Sequence, residues 1–152
     1  MSAERFFRMR AGGIIRRENR ILLIECFEDG YGLHYNLPGG GTQRGEPVRA
    51  AVRREVREET GLKVEVGRLL LAYEALHPDI HHSFGLLFEC HVPPGAEPSL
   101  PAVPDSFQIG VVWVPLADLK TIRLLPDIGP QLYAVLLDEP EADHFAQHTE
   151  QP

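Results

Sequence analysis

The segment that decides the fold is residues 39–62, GGGTQRGEPVRAAVRREVREETGL. It opens with three glycines, which let a backbone pass close to a ligand because they carry no side chain. Within residues 47–60 the apolar side chains recur at the spacing of one helical face: Val48, Ala51, Val52 and Val56. We therefore expect an amphipathic helix here. Pro47 suits its first turn, and Gly61 suits the position that ends it.

The same predicted helix carries three carboxylates on one face, because Glu55, Glu58 and Glu59 stand at i, i+3 and i+4. At about 5–6 Å such neighbours repel by roughly 0.7 kcal/mol per pair in bulk water, and by roughly 3 kcal/mol at an intermediate dielectric. If the face lines a cleft, a divalent cation such as Mg²⁺ compensates the charge. If the face is solvated, ion pairs with Arg54 and Arg57 are the ordinary alternative.

The composition is that of one globular domain. The chain has 152 residues, of which 43% are hydrophobic and 24% charged, and its formal net charge is −7. This negative charge disfavours broad nucleic-acid binding, which needs a basic surface. No apolar run approaches the roughly 20 residues of a membrane helix, and the N-terminal MSAERFFRMR has no apolar signal core. We expect a cytoplasmic protein in which Cys26 and Cys90 are buried free thiols.

The predicted elements run in the order hairpin, helix, strands and helix. The predicted strands cover residues 6–17, 20–27, 63–77, 84–92 and 107–114. A loop is expected at 78–83 and a final helix at 130–138. This order implies the α/β class, with helices packed against a mixed sheet. We expect one domain over residues 1–138, followed by an acidic, frayed tail over residues 139–152.

The glycines and the acidic helix belong to one longer pattern. Gly40, five residues, Glu46, seven residues and then residues 54–62, REVREETGL, resemble the Nudix box, G-x5-E-x7-R-E-U-x-E-E-x-G-U, in which U is aliphatic. Every fixed position of that motif matches. The resemblance implies a Nudix hydrolase of the MutT-like or ADP-ribose pyrophosphatase-like kind. It also implies the family's α/β/α sandwich, with this loop and helix as its site.

The resemblance further implies a chemistry and a role for each residue of the motif. Nudix proteins hydrolyse nucleoside diphosphates linked to another moiety, X, using Mg²⁺ or, as a substitute, Mn²⁺. Carried over to this chain, Glu55 and Glu59 would be the principal metal ligands, and Glu58 a further one. The Gly39 carbonyl would complete the metal shell, and Arg54 would orient a catalytic glutamate. The structural positions of the motif would be Gly40, Glu46 and Gly61.

Four residues outside the motif are candidates for contacts with the substrate: Tyr31, Tyr35, His81 and His82. The tyrosines flank the loop before the motif, where a ring can stack on a nucleobase. The histidines fall in a predicted loop between two strands. Packing or simple exposure accounts at least as well for the tyrosines, and a solvent-exposed loop is the favoured explanation for the histidines. The arginines of the first strand leave the same two alternatives open for phosphate contacts: Arg8, Arg10, Arg16 and Arg17.

The sequence also leaves open which residue acts as the general base. Glu55 and Glu59 are candidates within the motif, and Asp105 and Glu89 are candidates outside it. Gln108 stands near the place where some family members have an acid.

Two functions of different classes follow from the sequence. The first is a Mg²⁺-dependent pyrophosphohydrolase acting on ADP-ribose or a nucleoside triphosphate. The second is a catalytically inactive Nudix-fold module that senses a nucleotide, although such modules often lack glutamates that this chain retains. A related isomerase of isopentenyl diphosphate would need a catalytic cysteine in a cleft, whereas both cysteines lie in strand patterns. The expected partner is a small nucleotide, without membrane or nucleic acid, and a homodimer is left open.

Overall fold

A computed structural model of the chain describes residues 6–76 and 81–149. Its strands are β1 Phe6–Arg17, β2 Arg20–Glu28, β3 Gly32–Asn36, β4 Gly39–Gly41, β5 Glu65–Leu76, β6 His81–His91, β7 Gln108–Pro115, β8 Leu124–Leu125 and β9 Phe145–Thr149. Its helices are α1 Val48–Thr60, α2 Gly129–Leu136 and a 3₁₀ helix, Leu116–Lys120. Within the described ranges, none of these helices is long and apolar enough to cross a bilayer.

Strand β1 connects the two halves of a curled, mixed sheet. Along most of its length β1 pairs in parallel with β6, which continues through β5 to β9. Its last residues form the predicted hairpin with β2, which pairs in turn with β3 and β7. The short strand β4, which was not predicted, pairs antiparallel with β1 and so brings the glycine triplet onto the sheet.

The two faces of this sheet carry two separate hydrophobic cores, because successive side chains of a strand point to opposite faces. The core under α2 and the 3₁₀ helix includes Ile14, Ile21, Leu23, Leu119 and Leu132. The core under α1 includes Ile15, Leu22, Val52, Val56 and Phe88. The sheet therefore lies between two helical layers, which confirms the predicted α/β/α sandwich.

Helix α1 follows the sequence expectation closely. Ala51, Val52 and Val56 of the predicted stripe are fully buried. Gly13 makes this packing close, because a Cβ at that position would lie 3.0 Å from Cγ2 of Val56. The helix axis can thus approach β1 without a side chain between them.

The ends of α1 are set by the two residues that the sequence singled out. Pro47 stands just before the helix, with φ −61° and ψ 141°, rather than within its first turn. Gly61 adopts the left-handed conformation, φ 74°, and its N–H bonds the carbonyl of Arg57 at 2.9 Å. Glycine takes this conformation without strain, which is why the helix stops there.

The segment after residue 138 differs from the expectation of a frayed tail. Residues Phe145–Thr149 form β9, which pairs in parallel with β5 from Ala72–Phe145 to Leu76–Thr149. Ala146 is only 2% exposed and belongs to the core under α2. Because acidic residues occur around 139–143, the sequence pattern does not predict this short strand. The sheet thus continues beyond the predicted boundary at residue 138.

The predicted loop at residues 78–83 is also shorter than expected, because β6 begins at His81. His81 and His82 therefore lie in a strand rather than in a loop. The rest of the predicted loop, residues 78–80, falls outside the described residues, as does His77.

A charge at residue 146 tests whether β9 belongs to the fold. Ala146→Glu should lower the free energy of unfolding by at least about 2 kcal/mol, because it forces a carboxylate into the core. Gln147→Glu, at the exposed neighbouring position, is the matched control and should change it little. Urea unfolding of both variants measures the difference. Equal stability of the two variants would show that residue 146 is not buried.

Candidate active site

Arg54 gathers four oxygen-bearing groups around its guanidinium. Its Nε and Nη2 donate to Oε2 and Oε1 of Glu46 at 2.8 and 2.9 Å, so this contact is bidentate. Its Nη1 donates to Glu55 at 2.8 Å and to Glu58 at 3.3 Å. Its Nη2 also donates to the carbonyl of Gly41 at 3.2 Å. Charge-assisted, bidentate contacts of this kind fix both position and orientation.

Glu46 reaches Arg54 because the chain before α1 folds back in a tight turn. The N–H of Glu46 donates to the carbonyl of Gln43 at 3.0 Å, and the N–H of Gln43 donates to Oε1 of Glu46 at 3.1 Å. Gly45 within the turn has a φ of 78°, which favours glycine. Arg54 and the Gln43 N–H together lower the pKa of Glu46 to about 2. Glu46 therefore carries a negative charge beside Arg54 at neutral pH.

Gly40 provides the space in which the Glu55 carboxylate lies. A Cβ at Gly40 would stand 2.6 Å from Cδ and Oε1 of Glu55. A Cβ at Gly39 would stand 2.5 Å from the carbonyl oxygen of Ala11. The glycines thus serve two contacts, one with the helix carboxylate and one with the neighbouring strand.

Glu59 lies beside Glu55 and lines the same cavity. Burial, and then the charge of Glu55, raise the pKa of Glu59 to about 8, although a hydrogen bond from the backbone of Gly39 opposes this shift. Glu58 is different, because its side chain is 57% exposed against 15% for Glu55. Two adjacent carboxylates that resist joint ionisation are a donor set that a divalent cation satisfies.

These carboxylates line a polar cavity of about 560 Å³. Its charged lining consists of Glu55, Glu58, Glu59, Asp105, Arg8 and Arg10. Gln108 also lines it, and its side-chain amide donates to the backbone carbonyl of Glu59 at 3.0 Å, near the end of α1. Gln108 thus braces the helix, and it carries no group that could act as a base.

The polar cavity offers a partial set of metal donors. Within residues 6–76 and 81–149, no three His, Cys, Asp or Glu side chains already form a group that could hold a metal ion. Glu55 and Glu59 instead supply a pair of carboxylates next to the backbone of Gly39. This arrangement fits Mg²⁺, which usually binds one or two carboxylates and keeps its other positions for water and substrate phosphates.

A second cavity, of about 390 Å³, adjoins the first and is more apolar. The two cavities share Arg10, Gly39 and Gly40. The apolar side chains that line the second cavity include Leu37, Tyr31, Tyr73, Leu87, Leu125 and Pro126. Its polar side chains include Glu28, Asn36, Ser83 and His148. A volume in this range, with an apolar wall and a few polar groups, suits a small organic ligand.

Tyr31, which lines this apolar cavity, is held in place by a residue that sequence reasoning missed. The guanidinium carbon of Arg123 lies 3.8 Å from the centre of the Tyr31 ring, and Arg123 also donates to the Tyr31 carbonyl. His34 meets the same ring edge-on, with 5.0 Å between centres. These contacts fix the ring from two sides.

The other candidate substrate residues lie elsewhere. Tyr35 packs against the core under α2 and lines neither cavity. His82 bonds Glu74 at 2.7 Å and meets the ring of Phe7, also away from both cavities. The side chain of His81 is outside the described part of the chain.

The four arginines of β1 separate into two pairs. Arg8 and Arg10 line the cavities. Arg16 instead donates to the carbonyl of Leu136 at 3.1 Å, and Arg17 lies over the ring of Trp113. Only the first pair is therefore placed for contacts with a ligand.

Comparison with known proteins gives a family match over most of the chain. The family model described as "NUDIX domain" matches residues 6–136. A MutT-like protein of Streptomyces ambofaciens is 32% identical over 122 residues, which cover 76% of this chain and 72% of that protein. An ADP-ribose pyrophosphatase of Methanocaldococcus jannaschii is 44% identical over 63 residues. That match covers 41% of this chain and only 37% of the archaeal protein.

Solved structures match the fold as well. The crystal structure of a MutT protein from Methanosarcina mazei aligns with a TM-score of 0.74 at 21% identity. The alignment covers 92% of this chain and 99% of that protein. At this identity the likeness supports the architecture alone.

The pKa of Glu46 predicts how stability responds to acid. Because the folded state lowers this pKa from 4.5 to about 2, ionised Glu46 stabilises the fold above pH 4.5. That contribution is lost as the pH falls from 4.5 towards 2. Glu46→Gln should therefore lose stability at pH 7 and show a flatter decline below pH 4.5. Thermal unfolding across this range, with the exposed Glu65→Gln as control, measures it. Parallel acid declines for Glu46→Gln and the unmodified protein would contradict the role of the pair.

Filling the space at residue 40 tests whether Gly40 sets the position of the Glu55 carboxylate. Gly40→Ala should displace the Glu55 carboxylate and weaken Mn²⁺ binding at least about tenfold, while the fold persists, since disturbed orientation of metal ligands typically costs 10–100-fold in affinity. Gly30→Ala is a control because a Cβ at Gly30 would meet no atom within 4 Å, although the φ of 84° there carries its own strain. Calorimetry with Mn²⁺ measures the affinities. Unchanged affinity in Gly40→Ala would show that Glu55 does not bind the ion from this position.

Proposed function

The chain belongs to the Nudix family of hydrolases, which act on phosphorus-containing anhydrides, and on this premise we propose that it cleaves the pyrophosphate bond of a nucleoside diphosphate linked to a group X. One observation carries the proposal: the paired carboxylates of Glu55 and Glu59 lie against a glycine strand, in a polar cavity that opens beside an apolar one. A substrate in which a charged pyrophosphate is attached to a nucleoside matches this pair of polar and apolar cavities.

Mg²⁺ is the proposed cofactor, with Mn²⁺ as a substitute. Glu55 and Glu59 would hold it, with Glu58 and the Gly39 carbonyl as further donors. When bound, such an ion neutralises phosphate charge and lowers the pKa of a coordinated water. A side chain next to these donors would keep one of them in position. Arg54 holds one oxygen of Glu55 in place at 2.8 Å.

The general base comes from a carboxylate of the polar cavity. Of the candidates named from the sequence, Glu55, Glu59 and Asp105 line this cavity. Glu89 is not among the residues lining this cavity and instead pairs with Arg68 at 3.4 Å. A base must come within hydrogen-bond reach of the water whose proton it accepts. The set of candidates from the sequence is thus reduced by one.

The proposed substrate is a small nucleotide. The apolar cavity would take the nucleoside, with Tyr31 and Tyr73 as aromatic walls and Asn36 and Glu28 as polar partners. The names of the two relatives, ADP-ribose pyrophosphatase and MutT-like protein, support ADP-ribose and nucleoside triphosphates as the compounds to test first. A cytoplasmic location and a homodimer stay predictions from the sequence.

Turnover of such compounds tests the proposal. With Mg²⁺, the protein should release nucleoside monophosphate from ADP-ribose or from a nucleoside triphosphate, and EDTA should abolish this. Glu55→Gln and Glu59→Gln should each lower kcat at least about 100-fold, the usual scale for loss of a carboxylate that serves acid–base or metal chemistry. Glu65→Gln, exposed at the start of β5, should keep the rate.

Two outcomes would contradict the proposal. Tight nucleotide binding in Mg²⁺ with no product over hours would identify a sensing module instead. Full activity in Glu55→Gln and Glu59→Gln would show that the reaction uses other residues.

A further inference from the structure

Arg10 belongs to a row of three residues that crosses three strands. The register pairs Arg10 of β1 with Gly85 of β6, and Gly85 with Tyr73 of β5. Directly paired residues in neighbouring strands present their side chains on the same face of a sheet. Arg10 and Tyr73 are thus separated only by a position without a side chain.

Gly85 lets the Tyr73 ring lie across this gap. A Cβ at Gly85 would collide with the ring of Tyr73, including its hydroxyl oxygen. Tyr73 is buried, since only 5% of its surface is exposed. Burial raises the pKa of this phenol, and the nearby charge of Arg10 opposes the shift. A buried phenol from β5 and a guanidinium on β1 are therefore neighbours across Gly85.

Arg10 stands where the two cavities meet. Arg10 lines both of them, together with Gly39 and Gly40, whereas Arg8 lines only the polar one. On one side lie the carboxylates of the polar cavity, and on the other lie the apolar walls. A nucleotide that spans both cavities must carry its first phosphate past this point, and a guanidinium binds phosphate oxygens in bidentate fashion.

We infer that Arg10 binds the phosphate attached to the nucleoside, and that Tyr73 is the positioning residue that holds Arg10 at the junction. The inference rests on the proposed function, because it takes the ligand to be a nucleoside diphosphate. It adds that the two sets of residues act on different parts of the substrate. The acidic residues act at the reacting bond, whereas Arg10 binds the phosphate next to it. Gly85 is required because any side chain there would displace the Tyr73 ring.

Ligand pairs that differ only in their phosphates test Arg10 apart from turnover. Calorimetry in EDTA compares ADP, GDP, CDP and UDP with adenosine, guanosine, cytidine and uridine. For the base that binds best, Arg10→Ala should weaken binding of the diphosphate about 10–150-fold, the range expected for a charge-assisted hydrogen bond of about 1.5–3 kcal/mol. Binding of the matching nucleoside should stay unchanged. Arg10→Lys should recover part of the loss, because it restores charge but not the bidentate fork.

Tyr73→Phe tests the positioning role. It should weaken binding of the diphosphate several-fold, leave binding of the nucleoside unchanged, and raise KM with little change in kcat. A thermal unfolding curve close to that of the unmodified protein shows that the variant has folded. Arg20→Ala, at an exposed position of β2, is the control for removal of an arginine.

The results separate this inference from the proposed function. If the protein hydrolyses none of the test compounds, the proposed function fails, while the binding comparison still decides the role of Arg10. Equal losses for the diphosphate and the nucleoside in Arg10→Ala would overturn the inference. Unchanged diphosphate binding would overturn it too, as would failure of the unmodified protein to bind any of the four diphosphates. If Tyr73→Phe binds the diphosphate normally, Tyr73 has no positioning role.

Discussion

The site depends on one electrostatic arrangement, the guanidinium of Arg54 between the carboxylates of Glu46 and Glu55. Glu55 lies close to a second carboxylate, Glu59, and their charges oppose each other in a place where burial already disfavours ionisation. Arg54 offsets this repulsion on one side, and Glu46 fixes Arg54 through two hydrogen bonds of 2.8 and 2.9 Å. Gly40 then leaves the space that the Glu55 carboxylate occupies. The Glu55 carboxylate is thus held by Arg54 on one side and given room by Gly40 on the other.

The fold supports this arrangement because helix α1 both packs against the sheet and carries the carboxylates of the site. The apolar face of α1 buries Val52 and Val56 against the sheet, which fixes how far the helix stands from β1. Its acidic face then meets β4, which pairs with β1 through the glycines. The distance between carboxylate and glycine is thus set by the hydrophobic core rather than by the site itself. Protein interiors are packed densely enough to hold such a distance.

Local signals made much of this predictable from the sequence. The stripe that includes Val52 and Val56 determines α1, and Gly61 determines its end, because both depend only on residues a few positions apart. The spacing of the Nudix box identified the members of the acidic cluster. It did not show how Glu46 meets Arg54, since residues eight apart on a straight helix are separated by about 12 Å of rise. The turn at Gln43, outside the helix, resolves that distance.

The remaining features depend on pairing between distant parts of the chain. No local pattern shows that Tyr73 lies beside Arg10, because this needs the register of three strands. The same holds for β9, whose short sequence has one buried alanine, Ala146, and an acidic stretch before it. Tyr31 and Tyr35 looked alike in the sequence, yet the structure turns one towards a cavity and the other towards a core. Strand register and sheet order carry information that composition and spacing do not.

We propose that Glu55 and Glu59 together bind a divalent ion in the polar cavity. Electron paramagnetic resonance of Mn²⁺ tests it directly, because free and protein-bound Mn²⁺ give distinct signals. We expect a saturable site in the unmodified protein that Glu55→Gln and Glu59→Gln each abolish or weaken strongly. An unchanged Mn²⁺ titration in both variants would contradict it.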